Sequence, residues 1–462
     1  MSWSRVLPVL CMSVAGVVAA TTAAMSGDAV EPAAPTLAQL AEAHGKYMGN
    51  SMTQNLLSST TVTGIAGTQF DMVTPGNEMK WDTTEPSRGA FNFAPGDRIV
   101  AFAQSHSMRV RGHNLVWHSQ LPGWVSSLPV GQVRAAMENH ITTEVSHYKG
   151  MLYAWDVVNE PFEENGTFRN DIFFQAMGSG YIADALRTAR AADPAAKLYL
   201  NDFNIEGMGT KSDAMFSLVQ ALIAQGVPID GVGFESHFIL GQIPSTLQAN
   251  MQRFANLGLD VAITELDDRI QLPATVASLA QQATDYASVE RACLAVARCV
   301  GVTQWAVGDP DSWIPGFFSG FGSATIYDSN YQPKPAYNAI ATALGGTSAP
   351  PPPPPPDGPC AVTNMVNAWN TGLTANMTIS NTGSAAITGW TLVFTLPSGQ
   401  TITSGWNASY SPASGTVTAT NLSYNGSLAP GGSTAIGFQA SHTGNAAAPT
   451  SFTLNGTSCT IR

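Results

Sequence analysis

Apolar runs rich in β-branched and aromatic residues alternate with Ala-rich amphipathic stretches along most of the chain. The runs that predict strands lie near Tyr47 and at 70–74, 108–117, 152–158, 197–203, 231–238, 260–266 and 301–307. The stretches that predict helices lie at 131–148, 182–192, 213–224, 243–255 and 274–297. Alternating strands and helices favour an α/β protein with a parallel sheet. Eight strands in roughly 300 residues fit a (β/α)8 TIM barrel better than an open doubly wound sheet. No Gly-rich phosphate loop follows the first run, which also argues against dinucleotide binding.

The pattern changes after residue 360. Short runs rich in Thr, Val, Ile and Phe are separated there by Gly, Asn, Ser and Pro, with predicted strands at 374–380, 389–396, 415–420, 433–439 and 450–454. Short strands with closely spaced turns are typical of an all-β sandwich. Arg462 is the only Asp, Glu, Lys or Arg of this region, so its surface suits a neutral partner.

A proline run separates the two patterns. Residues 345–349 are Gly, Thr, Ser and Ala, and residues 350–356 are all proline. Polyproline forms a semi-rigid extended spacer that cannot join a core. We therefore expect a barrel domain at 35–344, a linker at 345–359 and a β-sandwich domain at 360–462.

Residues 1–24 have the pattern of a secretory signal. Arg5 supplies a positive charge, residues 6–20 are mostly apolar, and small residues at 19–24 suit cleavage. An uncleaved membrane anchor is the alternative, but the run is short for a span.

Charged residues make up 11% of the chain, against roughly 25% in typical soluble domains, which favours a secreted, extracellular protein. The net charge of −12 argues against nucleic acid or an anionic membrane as a partner.

Cysteine usage agrees with export. Removal of Cys11 with the signal leaves four cysteines, which allow three pairings. The domain division favours a Cys293–Cys299 disulfide that closes a short loop and a Cys360–Cys459 disulfide that joins the ends of the sandwich. Zinc binding is the alternative, although no Cys-x-x-Cys and no neighbouring His accompanies these residues.

Polar residues collect where the predicted barrel strands end. The fourth strand ends in Asn159 and Glu160, and Pro161 stops it. An isolated Glu at this point could simply face water, but the other strand ends carry similar groups, and in a parallel barrel they share one rim. These groups lie at 77–81, 113–120, 201–204, 235–237, 265, 305 and 313. Carboxylates, imidazoles, amides and indoles on one rim describe a sugar-binding cleft.

Four of these motifs carry a specific resemblance. They are Asn-Glu-Met-Lys-Trp at 77–81, Gly-His-Asn-Leu-Val-Trp-His-Ser-Gln-Leu at 112–121, Trp-Asp-Val-Val-Asn-Glu-Pro at 155–161 and Ile-Thr-Glu-Leu-Asp at 263–267. In this order, between about Leu37 and Leu344, they resemble glycoside hydrolase family 10, whose members are mainly endo-β-1,4-xylanases. The resemblance implies a retaining hydrolase of the xylan backbone. We expect no cofactor, no metal and a monomer.

The resemblance also implies roles for individual residues. Glu160 would be the acid/base and Glu265 the nucleophile, and retention needs two carboxyl groups about 5–5.5 Å apart. Because two nearby carboxylates do not both ionise easily, one is expected to keep its proton and act as an acid. His237 would hold Glu265 ionised, and Asn159 would bond the sugar 2-hydroxyl. The remaining expected substrate contacts are Asn77, Lys80, His113, Trp117, Gln120, Glu235, Trp305 and Trp313.

Several residues of these motifs also have purely structural interpretations. Trp81, Trp117 and Trp155 could be core aromatics, His113 and His118 structural histidines, Lys80 a surface charge, and Asp156 and Asp202 buried anchors. Asp267 and Asp268 are expected to be structural or solvated.

Two positions depart from the family pattern. Gly76 stands where members usually carry a Glu that bonds a distal xylose, and Glu235 stands where they usually carry Gln. The first change removes a carboxylate from the glycone side, and the second adds one near the catalytic pair, where it could raise a neighbouring pKa. The substrate is therefore open between xylan and another β-glycoside, such as the saponin cleaved by tomatinases. A non-catalytic wall-binding protein is the least favoured alternative.

Residues 360–461 resemble carbohydrate-binding module family 2. Trp369, Trp406 and Tyr424 match three surface aromatics of that module, which stack on successive glucosyl units of crystalline cellulose. Members generally carry Trp at the third position, so Tyr424 is expected to weaken binding. Trp390, in an apolar run, is expected to be a core residue. Tethering to cellulose would raise the local concentration of the enzyme at the cell wall.

Overall fold

Parallel strands between residues 47 and 304 form a closed barrel in the computed structural model, which describes residues 34–346, 360–383, 385–449 and 451–461. The signal-like segment at 1–24 and linker residues 347–359 lie outside the described residues. Within the described ranges, no helix is long and apolar enough to cross a membrane.

Eight strands close the barrel. The strands of this region are β1 (Tyr47–Met52), β2 (Met72–Pro75), β3 (Arg109–Val116), β4 (Ala154–Asn159), β5 (Lys197–Asp202), β6 (Gly231–Phe234), β7 (His237–Ile239), β8 (Asp260–Gln271), β9 (Cys299–Gln304) and β10 (Phe321–Gly322). They pair in parallel in the order β9-β1-β2-β3-β4-β5-β6-β8, and β8 pairs with β9 to close the ring. The short strands β7 and β10 pair with β8 outside the ring. The predicted (β/α)8 fold is confirmed.

Helices alternate with the barrel strands along the chain. They are α1 (Leu37–Glu42), α2 (Thr60–Gln69), α3 (Trp81–Thr84), α4 (Ala94–Ser105), α5 (Gly123–Ser126), α6 (Val130–His147), α7 (Ile172–Met177), α8 (Gly180–Ala192), α9 (Thr210–Ala224), α10 (Leu247–Ala255), α11 (Val276–Ala295), α12 (Ile314–Phe317) and α13 (Pro335–Ala343). Two 3-10 turns lie at Gln54–Ser58 and Asp309–Asp311. The five predicted helices correspond to α6 and α8–α11. Helix α2 was not predicted, because its Thr- and Gly-rich sequence lacks a clear apolar stripe; only Val62 and Ala66 are buried in it.

Both faces of the barrel strands are covered, which explains their nearly continuous apolar sequences. Every residue of β4 is buried, and Trp155 is fully buried. Gly112 of β3 lies opposite Trp155, and a Cβ added there would lie 2.2 Å from the indole ring. The indole therefore fills the space that a side chain at 112 would need, and Trp155 belongs to the core.

A second hydrophobic core lies in the sandwich. Its strands are β11 (Cys360–Trp369), β12 (Gly372–Asn381), β13 (Ile387–Thr388), β14 (Thr391–Thr395), β15 (Gln400–Trp406), β16 (Ala408–Ser411), β17 (Thr416–Asn421), β18 (Ser427–Leu428), β19 (Ser433–His442), β20 (Phe452–Leu454), β21 (Thr457–Ser458) and β22 (Thr460–Ile461). One sheet has the order β15-β19-β12-β11-β22, the other β16-β17-β14-β20-β21. Trp390 is buried in the core between them, as expected.

Both predicted disulfides are present. Cys293–Cys299 joins the end of α11 to the start of β9, and Cys360–Cys459 joins the first strand of the sandwich to its last turn. These bonds use every cysteine in the described part of the chain, so the zinc alternative is wrong.

Candidate active site

The carboxyl ends of the barrel strands bring the two predicted carboxyl groups to one rim. Glu160 follows β4 directly, and its backbone N–H donates to Asn201 O at 2.8 Å, the last pair of the β4–β5 ladder. Glu265 lies within β8, where it is 4% exposed. The two groups are close enough for the charge of Glu265 to raise the pKa of Glu160.

Hydrogen bonds hold Glu265 as an anion. Its Oε1 accepts from Asn201 Nδ2 at 2.9 Å, and its Oε2 lies 3.3 Å from His237 Nε2. His113 Nδ1 is 3.8 Å from Oε1. Burial alone would raise the pKa of Glu265, but the charges and hydrogen bonds of His113 and His237 outweigh burial and hold the pKa below its usual value. This carboxylate is therefore ionised and available as a nucleophile.

His237 is itself held by Asp267. The His237 Nδ1 donates to Asp267 Oδ2 at 3.0 Å, and Trp313 Nε1 donates to the same oxygen at 2.8 Å. Burial would lower the pKa of His237, but Asp267 and Glu265 outweigh it and raise the pKa to about 10. Asp267 and Asp268 are both buried, which agrees with the structural interpretation of these residues and excludes the solvated one. The contact of Asp267 with His237 was missed, because the pairing of β7 with β8 that creates it is not visible in sequence.

Glu160 has the opposite electrostatic environment. Burial raises its pKa, and the neighbouring Glu265 adds to the rise. His118 Nε2 lies 3.8 Å from Glu160 Oε2, but burial lowers the pKa of His118 to about 4, so this imidazole is neutral and does not stabilise the anion. Arg169 Nε donates to the Glu160 carbonyl at 3.1 Å and fixes the loop. Glu160 therefore keeps a proton under conditions where Glu265 has lost its own.

A buried ion pair supports the rim from below. Arg111 of β3 donates to both carboxylate oxygens of Asp156, with Nε 3.1 Å from Oδ2, and His113 Nδ1 lies 3.1 Å from that same oxygen. Burial would raise the pKa of Asp156, but Arg111 outweighs it and keeps the pKa low. Asp156 is thus a buried anchor that orients His113. Arg111 was not singled out from the sequence.

A second anchor lies on the neighbouring strand. Asp202 of β5 is 2.9 Å from Lys211 Nζ and accepts from Phe162 N at 3.3 Å. It therefore fastens the loop that follows Glu160 to the barrel, in agreement with its interpretation as a buried anchor.

A second group of predicted residues surrounds Lys80. Lys80 Nζ donates to Gln120 Oε1 at 2.7 Å and to Asn77 Oδ1 at 3.1 Å, and it lies 4.9 Å from the Trp117 ring. Lys80 is only 7% exposed, so the surface-charge interpretation is wrong. Its fixed donors suit sugar hydroxyls. Trp81 is buried and stacks on His140, so it is a core aromatic.

Two half-buried indoles border the carboxyl groups. The Trp313 ring is 5.0 Å from the His237 ring, and the Trp305 ring is 5.4 Å from the His113 ring. The structure therefore places both indoles beside the histidines that contact Glu265.

Glu235 follows β6 and adds a third carboxyl group, which is buried. Its Oε1 is 3.2 Å from Asn201 Nδ2, and its Oε2 is 3.7 Å from His237 Nε2. Burial raises its pKa well above the usual value, and Glu265 and Glu160 add to the rise. Glu235, His237 and Glu265 form the one His/Cys/Asp/Glu group in the described ranges with the spacing to hold a metal ion. Their contacts with Asn201 and Asp267 account for the arrangement as a hydrogen-bond network.

The sandwich carries two indoles on one face. Trp369 of β11 lies opposite Gly372, and Trp406 of β15 lies opposite Gly437. A Cβ at Gly372 would lie 2.6 Å from the Trp369 ring, and one at Gly437 would lie 2.2 Å from the Trp406 ring. Each ring therefore lies flat against a glycine of the neighbouring strand.

Strand register places these two rings on the same side of the sheet. Asn367, Thr374, Gln439 and Ser404 form one row across β11, β12, β19 and β15. Trp369 and Trp406 each lie two residues from that row, and side chains two apart in a strand share a face. Tyr424 is 70% exposed, and its hydroxyl donates to Asn407 Oδ1 at 2.8 Å, next to Trp406.

A (β/α)8 barrel whose rim holds a buried and a partly buried carboxyl group with opposite pKa shifts, together with amides and indoles, defines a glycosidase of the barrel class. The family model of glycosyl hydrolase family 10 matches residues 36–343, and that of the cellulose binding domain matches residues 360–459. The chain therefore belongs to glycosyl hydrolase family 10, and it carries a cellulose binding domain. Both resemblances drawn from the motifs are confirmed.

Named relatives and solved structures match about two thirds of the chain. An endo-1,4-beta-xylanase of Agaricus bisporus is 52% identical over 299 residues, which are 64% of this chain and 90% of that protein. Endo-1,4-beta-xylanase A of Phanerodontia chrysosporium is 50% identical over 66% of this chain and 76% of its own length. The crystal structure of xylanase 10B from Thermotoga maritima has a TM-score of 0.66 and 39% identity, covering 67% of this chain and 98% of that one.

Proposed function

We propose that this protein is a secreted, retaining endo-β-1,4-xylanase that is anchored to cellulose by its C-terminal module. The proposed organisation is a signal at 1–24, a catalytic domain at 35–344, a linker at 345–359 and a cellulose-binding module at 360–462. The observation that carries the reaction is the opposite pKa shifts of two interacting carboxyl groups, raised at Glu160 and lowered at Glu265.

Those shifts support the two steps of a double displacement. Glu265 attacks the anomeric carbon while Glu160 gives its proton to the departing glycosidic oxygen, and a glycosyl ester on Glu265 results. Glu160, now ionised, then takes a proton from a water molecule that attacks the same carbon and releases Glu265. Asn159 Oδ1 accepts from Asn201 Nδ2 at 2.9 Å, and Asn159 Nδ2 donates to Glu160 Oε1 at 3.4 Å, which leaves the second hydrogen of Nδ2 for the sugar 2-hydroxyl.

Xylan as the substrate is supported by the relatives. Those matched at about half identity are endo-1,4-beta-xylanases, and the structure of xylanase 10B from Thermotoga petrophila RKU-1, 39% identical to this chain, is a complex with xylobiose. Secretion is supported by the two disulfides, which persist in oxidising compartments. Cellulose anchoring is supported by the shared face of Trp369 and Trp406.

Product stereochemistry on xylan tests this proposal. Proton NMR of the first products should show the β-anomer of the new reducing end, which later mutarotates. Glu265→Gln is the control for background hydrolysis. If the α-anomer forms first, retention is wrong; if no reducing ends form, the activity is wrong.

Gly76 favours a second candidate substrate. No side chain can supply a carboxylate there, and Thr53 Cγ2 lies 3.2 Å from the position of a Cβ. The glycone side could therefore accept another β-glycoside, such as a saponin. A kcat/KM higher on a saponin than on xylooligosaccharides would favour this candidate over xylan.

A further inference from the structure

The side-chain amide of Asn201 faces more acceptors than it has hydrogens. Its Nδ2 lies 2.9 Å from Asn159 Oδ1, 2.9 Å from Glu265 Oε1 and 3.2 Å from Glu235 Oε1, and an amide nitrogen carries two hydrogens. Thr264 Oγ1 donates to Asn201 Oδ1 at 2.7 Å, which agrees with this orientation. The reversed amide would direct its carbonyl at two carboxyl groups. One of the three acceptors is therefore left without a donor, and the longest contact is the one to Glu235.

The other oxygen of Glu235, Oε2, also competes with Glu265 for a single hydrogen. His237 Nδ1–H is used by Asp267, so Nε2 has one hydrogen for two carboxyl oxygens, Glu265 Oε2 at 3.3 Å and Glu235 Oε2 at 3.7 Å. The shorter contact again goes to Glu265. An ionised Glu235, which is 2% exposed, would therefore be buried without a hydrogen of its own on either oxygen.

Most of the titratable groups around Glu235 are acidic. They are Glu265 of β8, Glu160 after β4, Asp202 of β5 and Glu206 after β5. Two cations also lie on this side: His237, shared with Asp267 and Glu265, and Lys80, which is bonded to Asn77 and Gln120. Burial raises the pKa of Glu235 well above its usual value, and these acidic groups, Glu265 first, add to the rise, in agreement with the hydrogen count.

We propose that Glu235 is a positioning residue that works as a neutral carboxyl group, keeping its proton over the acidic and neutral range and ending catalysis when it ionises. The proposal rests on the proposed function, because it assumes that Glu265 is the nucleophile. While Glu235 is neutral, the His237 hydrogen goes to Glu265 and holds the nucleophile in place. When Glu235 ionises, it competes for that hydrogen from only slightly farther away. It also places a second negative charge beside Glu265.

The pH dependence of kcat/KM on a soluble xylooligosaccharide tests the proposal through Glu235→Gln, which keeps the shape of the group but cannot ionise. The active wild-type enzyme needs protons on both Glu160 and Glu235, so the slope of log kcat/KM against pH should approach minus two at high pH. In Glu235→Gln the slope should stay at minus one. The comparison uses only the slopes and does not depend on the absolute kcat/KM of either protein. Equal slopes in the two proteins would overturn the proposal.

Infrared difference spectroscopy gives a readout that does not need activity. In Glu160→Gln the acid/base carboxyl group is absent, so the spectrum of Glu160→Gln minus that of Glu160→Gln/Glu235→Gln at neutral pH isolates Glu235. The difference should contain the carbonyl stretch of a protonated carboxyl group, and that band should disappear at alkaline pH. A carboxylate band at neutral pH would overturn the proposal even if the chain proved not to cleave xylan. Conversely, an inactive protein that shows the carbonyl band would contradict the proposed function and leave the proton on Glu235 established.

Discussion

His237 Nε2 lies 3.3 Å from Glu265 Oε2, and the opposite ring nitrogen of His237 is bonded to Asp267 at 3.0 Å. Because His237 has a pKa raised to about 10, the ring is a cation between two carboxylates at neutral pH. This chain of contacts holds the negative charge and the orientation of Glu265. The reactivity of Glu265 therefore depends on a residue, Asp267, that does not face the substrate itself.

Loss of the Glu265 carboxylate should abolish turnover, because no covalent intermediate can form. We expect Glu265→Ala to lower kcat on xylooligosaccharides by at least about 10⁴-fold. Added azide should enter the space of the deleted carboxylate and attack an activated aryl β-xyloside from that face, which gives an α-glycosyl azide. The matched variant Glu160→Ala should give the β-azide, since Glu265 still forms the intermediate. Residual activity of Glu265→Ala within about tenfold of wild type would overturn the assignment.

Neutralisation of Asp267 should lower the pKa of His237. Asp267→Asn removes the charge that does most to raise this pKa to about 10, so the His237 ring should lose its proton at a pH lower by at least about one unit. NMR titration of the imidazole signals measures this pKa. Trp313→Phe is the control, because it removes the other hydrogen bond to Asp267 and keeps its charge. A His237 ring that titrates at the same pH in Asp267→Asn as in the wild type would contradict the coupling.

The shared position of Glu160 and Glu265 at one rim could be predicted because both belong to short, contiguous motifs at strand ends. Asp267 could not, although it is two residues from Glu265. Its partner His237 is thirty positions away, and only the parallel register of β7 with β8 brings the two together. A charged residue at a strand end is compatible with solvent until that register is known.

Arg111 shows a different limit. It lies in an apolar strand, and sequence pattern does not distinguish an inward guanidinium from one that reaches solvent. Its pairing with Asp156 follows from the β3–β4 register, which places Arg111 beside Ala154 and His113 beside Asp156. Helix α2 was missed for a related reason: packing against the barrel, rather than a strong apolar stripe, stabilises it.

Removal of the Asp156 carboxylate should destabilise the barrel strongly. Both members of the Arg111–Asp156 pair are 1% exposed, so Asp156→Asn leaves an uncompensated guanidinium in the interior, which costs about 3–5 kcal/mol. The pKa of Asp156 is lowered in the folded protein. Its stabilisation is therefore fully present above the unfolded pKa of about 3.9 and is lost as pH falls through the lower folded value. The difference between wild type and variant should shrink below about pH 4.

Urea unfolding of the barrel, measured at several pH values, checks this prediction. Lys197→Gln is the comparison, because Lys197 forms a 3.4 Å pair with Asp260 and is 42% exposed, and such pairs contribute about 0–1 kcal/mol. A loss in Asp156→Asn as small as in Lys197→Gln, or one that grows as the pH is lowered, would show that the pair does not behave as a buried salt bridge.

Cellulose binding should depend on the two rings that share a face of the sandwich. Trp369→Ala with Trp406→Ala removes both planar surfaces, and a loss of about 1.4 kcal/mol per ring would weaken binding about 100-fold. Neither ring belongs to the hydrophobic core of the sandwich, which contains Trp390, so the double variant should stay folded. Thr395→Ala is the control, because Thr395 is exposed on the other sheet. Depletion from solution by microcrystalline cellulose measures binding, and hydrolysis of soluble xylooligosaccharide should stay the same in all three proteins. Unchanged retention on cellulose in the double variant would mean that another surface makes the contact.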